Sequence, residues 1–206
     1  TAMILHVLKK LKIDCDYMVG AQLEGFETMV RITDAPIIVL EGDEYLSSAI
    51  DKRPKFHLYH PDIAVITGIA PVHLERMKSL ENILDAKSEI VELAGSVVIN
   101  GDDDLLLNEA RLWTNQKNVY DCSITSKDAA VYVQHKNNKH DIYVGGDYVD
   151  SVNGSKLLQL SISLSVGVLL ALELDIKEYL TNLNILEKTE HRQNIIKSDY
   201  GHSIID

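Results

Sequence analysis

Three short, uninterrupted apolar runs, Pro36 to Leu40, Ile63 to Ile66 and Ser96 to Ile99, each break off at a polar cluster. The clusters are Glu41-Gly-Asp-Glu44, Thr67-Gly68 with His73 shortly after, and Asn100-Gly-Asp-Asp-Asp104. A strand with one wet face alternates apolar and polar residues, whereas a run without alternation is the pattern of a strand buried on both faces of a parallel sheet. Parallel strands need crossover connections. Ser79 to Leu93 supplies one, with Leu80, Ile83, Leu84, Ile90 and Leu93 at roughly helical intervals. Strand, helix, strand is the βαβ unit of an α/β fold.

The rest of the chain extends this pattern. Met3, Ile4, Val7, Leu8 and Leu11 predict an opening amphipathic helix whose lysines, Lys9, Lys10 and Lys12, gather at its C-terminal end. A short apolar piece follows at Tyr17 to Val19, then, beyond the βαβ unit, a helix at Leu105 to Trp113 and a strand near Asn118 to Cys122. From Ala129 to Val149 the period drops to two, in Val131-Tyr-Val133 and Ile142-Tyr-Val144, with a polar turn at His135 to Lys139. That is an antiparallel hairpin. Leu157 to Leu174 and Ile176 to Leu186 predict two more helices, and Asn194 to Lys197 with Ser203 to Ile205 a final strand pair. The expectation is one α/β domain over residues 1–206, a mostly parallel sheet flanked by helices with a late antiparallel β-hairpin.

Charge narrows the partners. With 31 acidic against 20 basic side chains and a net charge of -11, and no block of Lys and Arg, the chain is a poor binder of a phosphate backbone, so no nucleic-acid partner is expected. No apolar run is long enough to span a bilayer. Two cysteines far apart, Cys15 and Cys122, indicate neither zinc nor a disulfide framework and suit a reducing, cytoplasmic setting.

Ligands of open parallel sheets bind beyond the carboxyl ends of the strands. Glu41 follows directly on a strand, where its carboxylate can share a crevice with His73 and Asp102. Carboxylates with one imidazole and no thiolate suit Mg²⁺ or Mn²⁺. Acids at strand ends also serve as solvated loop residues or helix caps, and from pattern alone that alternative stands level. Lys87, in Asp85-Ala-Lys-Ser-Glu89, is mid-helix, where a lysine is ordinarily a solvated side chain. His57 and His60 fit an edge strand or loop with surface imidazoles, His135 and His140 flank a hairpin turn and need no function, and the two cysteines fit inert core thiols. Neither GxGxxG nor GxSxG occurs.

Several of these stretches together resemble a known family. The run from Val39 through Glu41-Gly-Asp-Glu-Tyr45 and Asp51-Lys-Arg-Pro-Lys-Phe56 to Tyr59, followed by Thr67-Gly-Ile-Ala-Pro-Val-His-Leu74, is similar to the central, P-loop NTPase-like, ATP-binding domain of the Mur ligases. The likeness is greatest to the UDP-N-acetylmuramate:tripeptide recycling ligases, and Glu24-Gly-Phe-Glu27 is compatible with that subgroup. The resemblance implies a domain of an ATP- and Mg²⁺- (or Mn²⁺-) dependent carboxylate–amine ligase of peptidoglycan synthesis or recycling. Such a ligase joins an amino acid or peptide to a UDP-muramyl carboxylate through an acyl phosphate. It implies Glu41, His73 and Lys87 at the metal, Lys87 as a carbamate and, with His73, catalytic; and Arg192, Asp206 and Asn100 at the nucleotide. The sequence departs from the family at Gly68, where Asn is usual, at Val72, where Asp is usual, and at Gln159 to Ser163, where an adenine-binding His-Asn-x-x-Asn pattern is expected. No Gly-Lys-Thr phosphate loop occurs in the chain. The expectation is that this loop, a UDP-sugar domain and an amine-substrate domain lie outside these 206 residues, so that the chain alone is inactive. The alternative is a non-catalytic Mur-like interaction domain.

Overall fold

The computed structural model describes residues 1–42, 47–51, 53–70, 79–114, 117–177, 180, 195–197 and 203–205. The chain forms two compact units, Thr1–Glu41 with Asn182–Asp206, and Gly42–Thr181.

In the first unit, helix α1 (Ala2–Lys10) buries Met3, Leu5, Val7 and Leu8 and places Lys9 and Lys10 in its last turn, where cations offset the helix dipole. It packs on β1 (Cys15–Met18). Strand β1 is central in a three-stranded sheet of order β2-β1-β3, antiparallel to β2 (Val30–Arg31) and parallel to β3 (Ile37–Leu40). Parallel pairing of β3 meets the expectation, but burial on both faces does not, because β3 is the last strand of this sheet and Ile38 is 51% exposed. Asp16 is buried and satisfied: its two oxygens take the Thr33 amide and hydroxyl, each at 2.7 Å, which ties β1 to the loop leading into β3. The strand pair expected at the end of the chain is present as β10 (Ile195–Lys197) and β11 (Ser203–Ile205), and it is antiparallel.

The second unit holds a six-stranded sheet in sequence order, from β4 (Ile63–Ile66), β5 (Ser96–Asn100) and β6 (Asn118–Ser123) through β7 (Val131–Lys136) and β8 (Lys139–Val144) to β9 (Asp147–Asn153). The first four strands run parallel and the last two join antiparallel. Helices α2 (Leu80–Leu93) and α3 (Asp104–Trp113) are the crossovers, and they meet the sheet in a core of Ile66, Ile69, Ile83, Val91, Val97, Ile99, Leu106 and Ala110. Val98, the alternate residue on β5, lies instead against α4 (Gln159–Ala171), which packs on β5, β6 and β7. The sheet therefore carries helices on both faces, and α4 is apolar nearly all round because it is buried nearly all round.

The hairpin is tighter and the sheet longer than expected. Asn137 and Asn138, with φ of 52° and 58°, make the two-residue turn, so His135 and Lys139 belong to strands. Gly145 and Gly146, also at positive φ, turn β8 into β9, a strand not foreseen. The hairpin is not an appendage, since β7 pairs with β6 and continues the main sheet. His57 lies in a single 3₁₀ turn, Lys55–Leu58, in keeping with the loop alternative. The helix expected at Ile176 to Leu186 lies mostly outside the described residues.

Candidate functional site

The carboxyl ends of β4, β5 and β6 converge on one network of polar groups in the second unit. Thr67 follows directly on β4, and its carbonyl accepts from Asn100 Nδ2 at 3.2 Å, while Asn100 Oδ1 accepts the Asp102 amide at 3.0 Å. Asn100 thus braces the ends of two neighbouring strands with both halves of its amide.

Asp102 is tied to the third strand end. Its Oδ1 accepts from the Ser123 hydroxyl at 2.5 Å and from the Thr125 hydroxyl, and its Oδ2 accepts the Ile124 amide at 2.8 Å. Burial opposes ionisation of this carboxyl, but the hydrogen bonds from Ser123, Thr125 and the Ile124 amide outweigh it and hold the group below the usual carboxylate range. Asp103 caps α3, its Oδ1 taking the Leu105 and Leu106 amides, and its Oδ2 takes the Ile69 amide at 2.6 Å. These two acids follow the cap and loop alternative rather than presenting oxygens to a cation. Ser123 and Thr125 were not singled out in the sequence, although Asp-Cys-Ser-Ile-Thr at the end of β6 carries the same signal, a strand breaking into polar residues.

Lys87 is not a solvated mid-helix lysine. It is half-buried on α2, and its Nζ donates to the Gly68 carbonyl at 3.1 Å, just past the end of β4. The opposite side of that peptide, the Ile69 amide, is the one held by Asp103.

Glu41 follows directly on β3 in the first unit. Its amide bonds to the Met18 carbonyl at 2.9 Å, continuing the parallel ladder, and its Oε2 accepts the Gly20 amide at 3.0 Å. One carboxylate oxygen is therefore oriented by the backbone at the end of β1. His73, Arg192 and Asp206, along with Asp43 and Glu44, lie outside the described residues. Among the described residues no three His, Cys, Asp or Glu side chains gather in a way that could hold a metal ion.

Gln159 and Ser163 face inward. The Gln159 amide is buried and donates to the Val133 carbonyl at 2.7 Å, and Ser163 Oγ donates to the Ser123 carbonyl at 3.5 Å. Cys122 is buried against α4, and burial, with Asp121 adding, pushes its thiol far above the usual range, in keeping with an inert core residue. A separate open cavity of about 790 Å³ in the first unit is lined by Lys9, Tyr17, Phe26 and Arg31 among others, and by none of the residues expected at the metal or the nucleotide. Two of its cations are engaged, Arg31 by Asp14 at 2.8 Å and Lys9 by the Gly25 carbonyl and the face of Phe26.

Comparison with known proteins decides the family: the Mur ligase middle domain matches residues 24–165. The chain belongs to the Mur ligase family. This Mur ligase domain is 28% identical over 169 residues to the UDP-N-acetylmuramate–L-alanine ligase of Clostridium botulinum, a match covering 79% of the chain and 33% of that enzyme. It is 29% identical over 83 residues to a UDP-N-acetylmuramate–L-alanyl-gamma-D-glutamyl-meso-2,6-diaminoheptandioate ligase of Haemophilus influenzae, covering 40% of the chain and 18% of that protein. The chain thus spans a third or less of the length of these relatives. In fold, it is similar to the UDP-N-acetylmuramate:L-alanyl-gamma-D-glutamyl-meso-diaminopimelate ligase of Neisseria meningitides, with a TM-score of 0.78 at 18% identity over 91% of this chain and 62% of that one. It is also similar to the MurF ligase of Thermotoga maritima in complex with ADP, with a TM-score of 0.72 at 18% identity over 96% and 48%. The mostly parallel, helix-flanked sheet expected from the sequence is the fold these ligases share. Among the described residues no helix is long and apolar enough to cross a membrane.

Proposed function

We propose that this Mur ligase domain is the central, ATP-binding part of an ATP-dependent carboxylate–amine ligase of peptidoglycan synthesis or recycling. The γ-phosphoryl group of ATP passes to a UDP-muramyl carboxylate, giving an acyl phosphate and ADP. The amine of an amino acid or peptide then attacks the acyl carbon, phosphate leaves, and the nitrogen loses a proton. The family match over residues 24–165 carries this reading. The names of the relatives, and the ADP in one similar structure, support it. Because the chain spans a third of the alanine-adding relative, the UDP-sugar and amine sites, and a Gly-Lys-Thr phosphate loop, are assigned to other parts of the protein that carries it.

Within the chain, the donor chemistry at Glu41 fits a hard divalent cation. Mg²⁺ keeps several waters and takes one or two carboxylates plus phosphate oxygens, so a single oriented carboxylate suffices on the protein side. A bound Mg²⁺ or Mn²⁺ would neutralise phosphate charge during phosphoryl transfer. Glu41 would hold it, with His73 and a carbamylated Lys87 as the further ligands. A carbamate keeps one N–H, so the Lys87 contact with the Gly68 carbonyl is compatible with that modification. Asn100 keeps the β4 and β5 ends in register, and Arg192 and Asp206 contact the nucleotide.

The test is release of phosphate from ATP by the whole protein, with UDP-N-acetylmuramate and an amino acid or peptide. Replacing Glu41 by Gln should lower turnover more than about 100-fold, the scale of losing a charge-stabilising group, while leaving the fold unchanged. Near wild-type rates would remove Glu41 from the metal site. The 206-residue chain by itself, without a lysine loop, should show no Mg²⁺-dependent turnover.

One observation favours the second reading, a Mur-like interaction domain without turnover. Gln159 and Ser163, which stand where adenine contacts are expected, are committed to the carbonyls of Val133 and Ser123. On that reading the whole protein neither binds ATP nor releases phosphate, which the same assay detects.

A further inference from the structure

The β7–β8 hairpin carries a pair of imidazoles that the ligase reading does not use. His135 and His140 are directly opposed in the strand register, with ring centroids 4.6 Å apart and their Nδ1 atoms 3.4 Å apart. His140 is fully buried, and its Nε2 lies 3.0 Å from the Ser155 carbonyl. A carbonyl can only accept, so His140 Nε2 carries the hydrogen and its Nδ1 presents a bare lone pair to His135. A histidine whose far nitrogen is fixed by a backbone carbonyl is the usual state of a metal-ligating imidazole. Two nitrogens bound at about 2.0–2.1 Å to one tetrahedral ion stand about 3.3–3.4 Å apart. The observed separation matches that spacing and lies at the long end for an N–H hydrogen bond from His135 Nδ1 to His140 Nδ1.

We propose that His135 and His140 form a two-imidazole site for a borderline divalent ion, Zn²⁺ or Ni²⁺, which clamps β7 to β8 and completes its coordination with water. Imidazole pairs select such ions over Mg²⁺ and Ca²⁺, which prefer oxygen. His135 is only partly buried, which leaves the pair a side from which an ion can enter. When the ion binds, a hydrogen on His135 Nδ1 moves to its Nε2, so two neutral imidazoles bind without net proton release. Lys136 and Lys139, paired at the hairpin tip, are exposed, so solvent and salt screen their repulsion of the cation. Gly154 is part of the site's support, because a Cβ there would stand 3.1 Å from His140 Nε2.

The experiment is a titration of the whole chain with Zn²⁺, followed by imidazole ¹⁵N resonances and by calorimetry, in wild type and in His135→Ala. His135 is only partly buried, so its loss should leave the fold standing, and the five-strand remainder of the sheet reports this independently through its amide spectrum. The expected result is saturable binding that moves both Nδ1 resonances, leaves His140 Nε2 protonated, and weakens more than about tenfold in His135→Ala. Mg²⁺ should move neither resonance. Equal affinity in His135→Ala, binding that leaves both Nδ1 resonances in place, or no saturable binding by about 1 mM Zn²⁺, near the weak limit of specific binding, would overturn the site.

Discussion

Lys87 and Asp103 hold the two sides of a single peptide group: the Gly68 carbonyl accepts from Lys87 Nζ at 3.1 Å, and the Ile69 amide donates to Asp103 Oδ2 at 2.6 Å. One residue comes from α2 and the other from the start of α3, so both crossover helices meet at the end of β4. The pair fixes the backbone at the place where the family usually has Asn and this chain has Gly68.

The clamp predicts coupling between its two members. Asp103→Ala removes a helix cap and leaves the Ile69 amide unpaired, at a cost of about 1–2 kcal/mol. Lys87→Met removes the half-buried hydrogen bond to the Gly68 carbonyl, which is worth about 1 kcal/mol. Because they act on one peptide group, the double variant should cost less than the sum, by about 0.5 kcal/mol or more in urea unfolding. Strict additivity would mean that the two contacts are independent.

Asp102 makes the second unit sensitive to acid. Its folded carboxyl titrates below the unfolded one, so its contribution is fully present above the ordinary carboxylate pKa and is lost as pH falls through the folded value. Asp102→Ala should cost about 1–3 kcal/mol at neutral pH, since it strands the Ser123, Thr125 and Ile124 donors. The penalty should shrink at low pH, which denaturant titrations at pH 7 and pH 3 would measure.

His140 acts in the opposite range. Burial, then the neighbouring His135, lowers its pKa, against smaller raising effects from the Ser155 and Gly154 carbonyls and Asp141. The unfolded imidazole takes a proton below about pH 6.5, whereas the folded one resists. Stability should therefore fall as pH drops below that value and level off beneath the folded pKa. His140→Gln should remove this step from the pH profile of unfolding, whatever its own cost.

Gly167 is where α4 meets the sheet most closely. A Cβ there would lie 2.5 Å from Cys122 Sγ and 2.8 Å from Val98 Cγ1. Ala favours helix over Gly by about 1 kcal/mol, but this overlap should dominate and make Gly167→Ala destabilising by about 1–3 kcal/mol. Cys122→Ala in the same chain should recover part of the loss, as a thermal melt of the single and double variants would show.

The legible parts of the fold were those where burial alone decides. Val97, Val98 and Ile99 are fully buried on β5, and their unbroken apolar run announced a parallel strand. Strand β3 has a similar run, yet Ile38 is half-exposed, because a sequence does not reveal which strand ends a sheet. Strand β9, Asp-Tyr-Val-Asp-Ser-Val-Asn, went unseen because it is largely exposed and its residues are mostly polar. At the site, the acids after β5 were visible but their roles were not. A carboxylate at a strand end can cap a helix, brace a loop or hold a cation, and only the donors facing Asp102 and Asp103 decide between these. For Lys87, helix position alone points to solvent, and only the Gly68 carbonyl that its Nζ meets shows otherwise.

The central claim, ATP-driven amide formation by the protein that carries this domain, is tested most directly by its stoichiometry. With UDP-N-acetylmuramate, Mg²⁺-ATP and a panel of amino acids and peptides, phosphate and amide product should appear together in equal amounts, and neither should form when the muramyl substrate or the amine is left out. No phosphate and no amide with any amine, or phosphate release indifferent to the muramyl substrate, would contradict it.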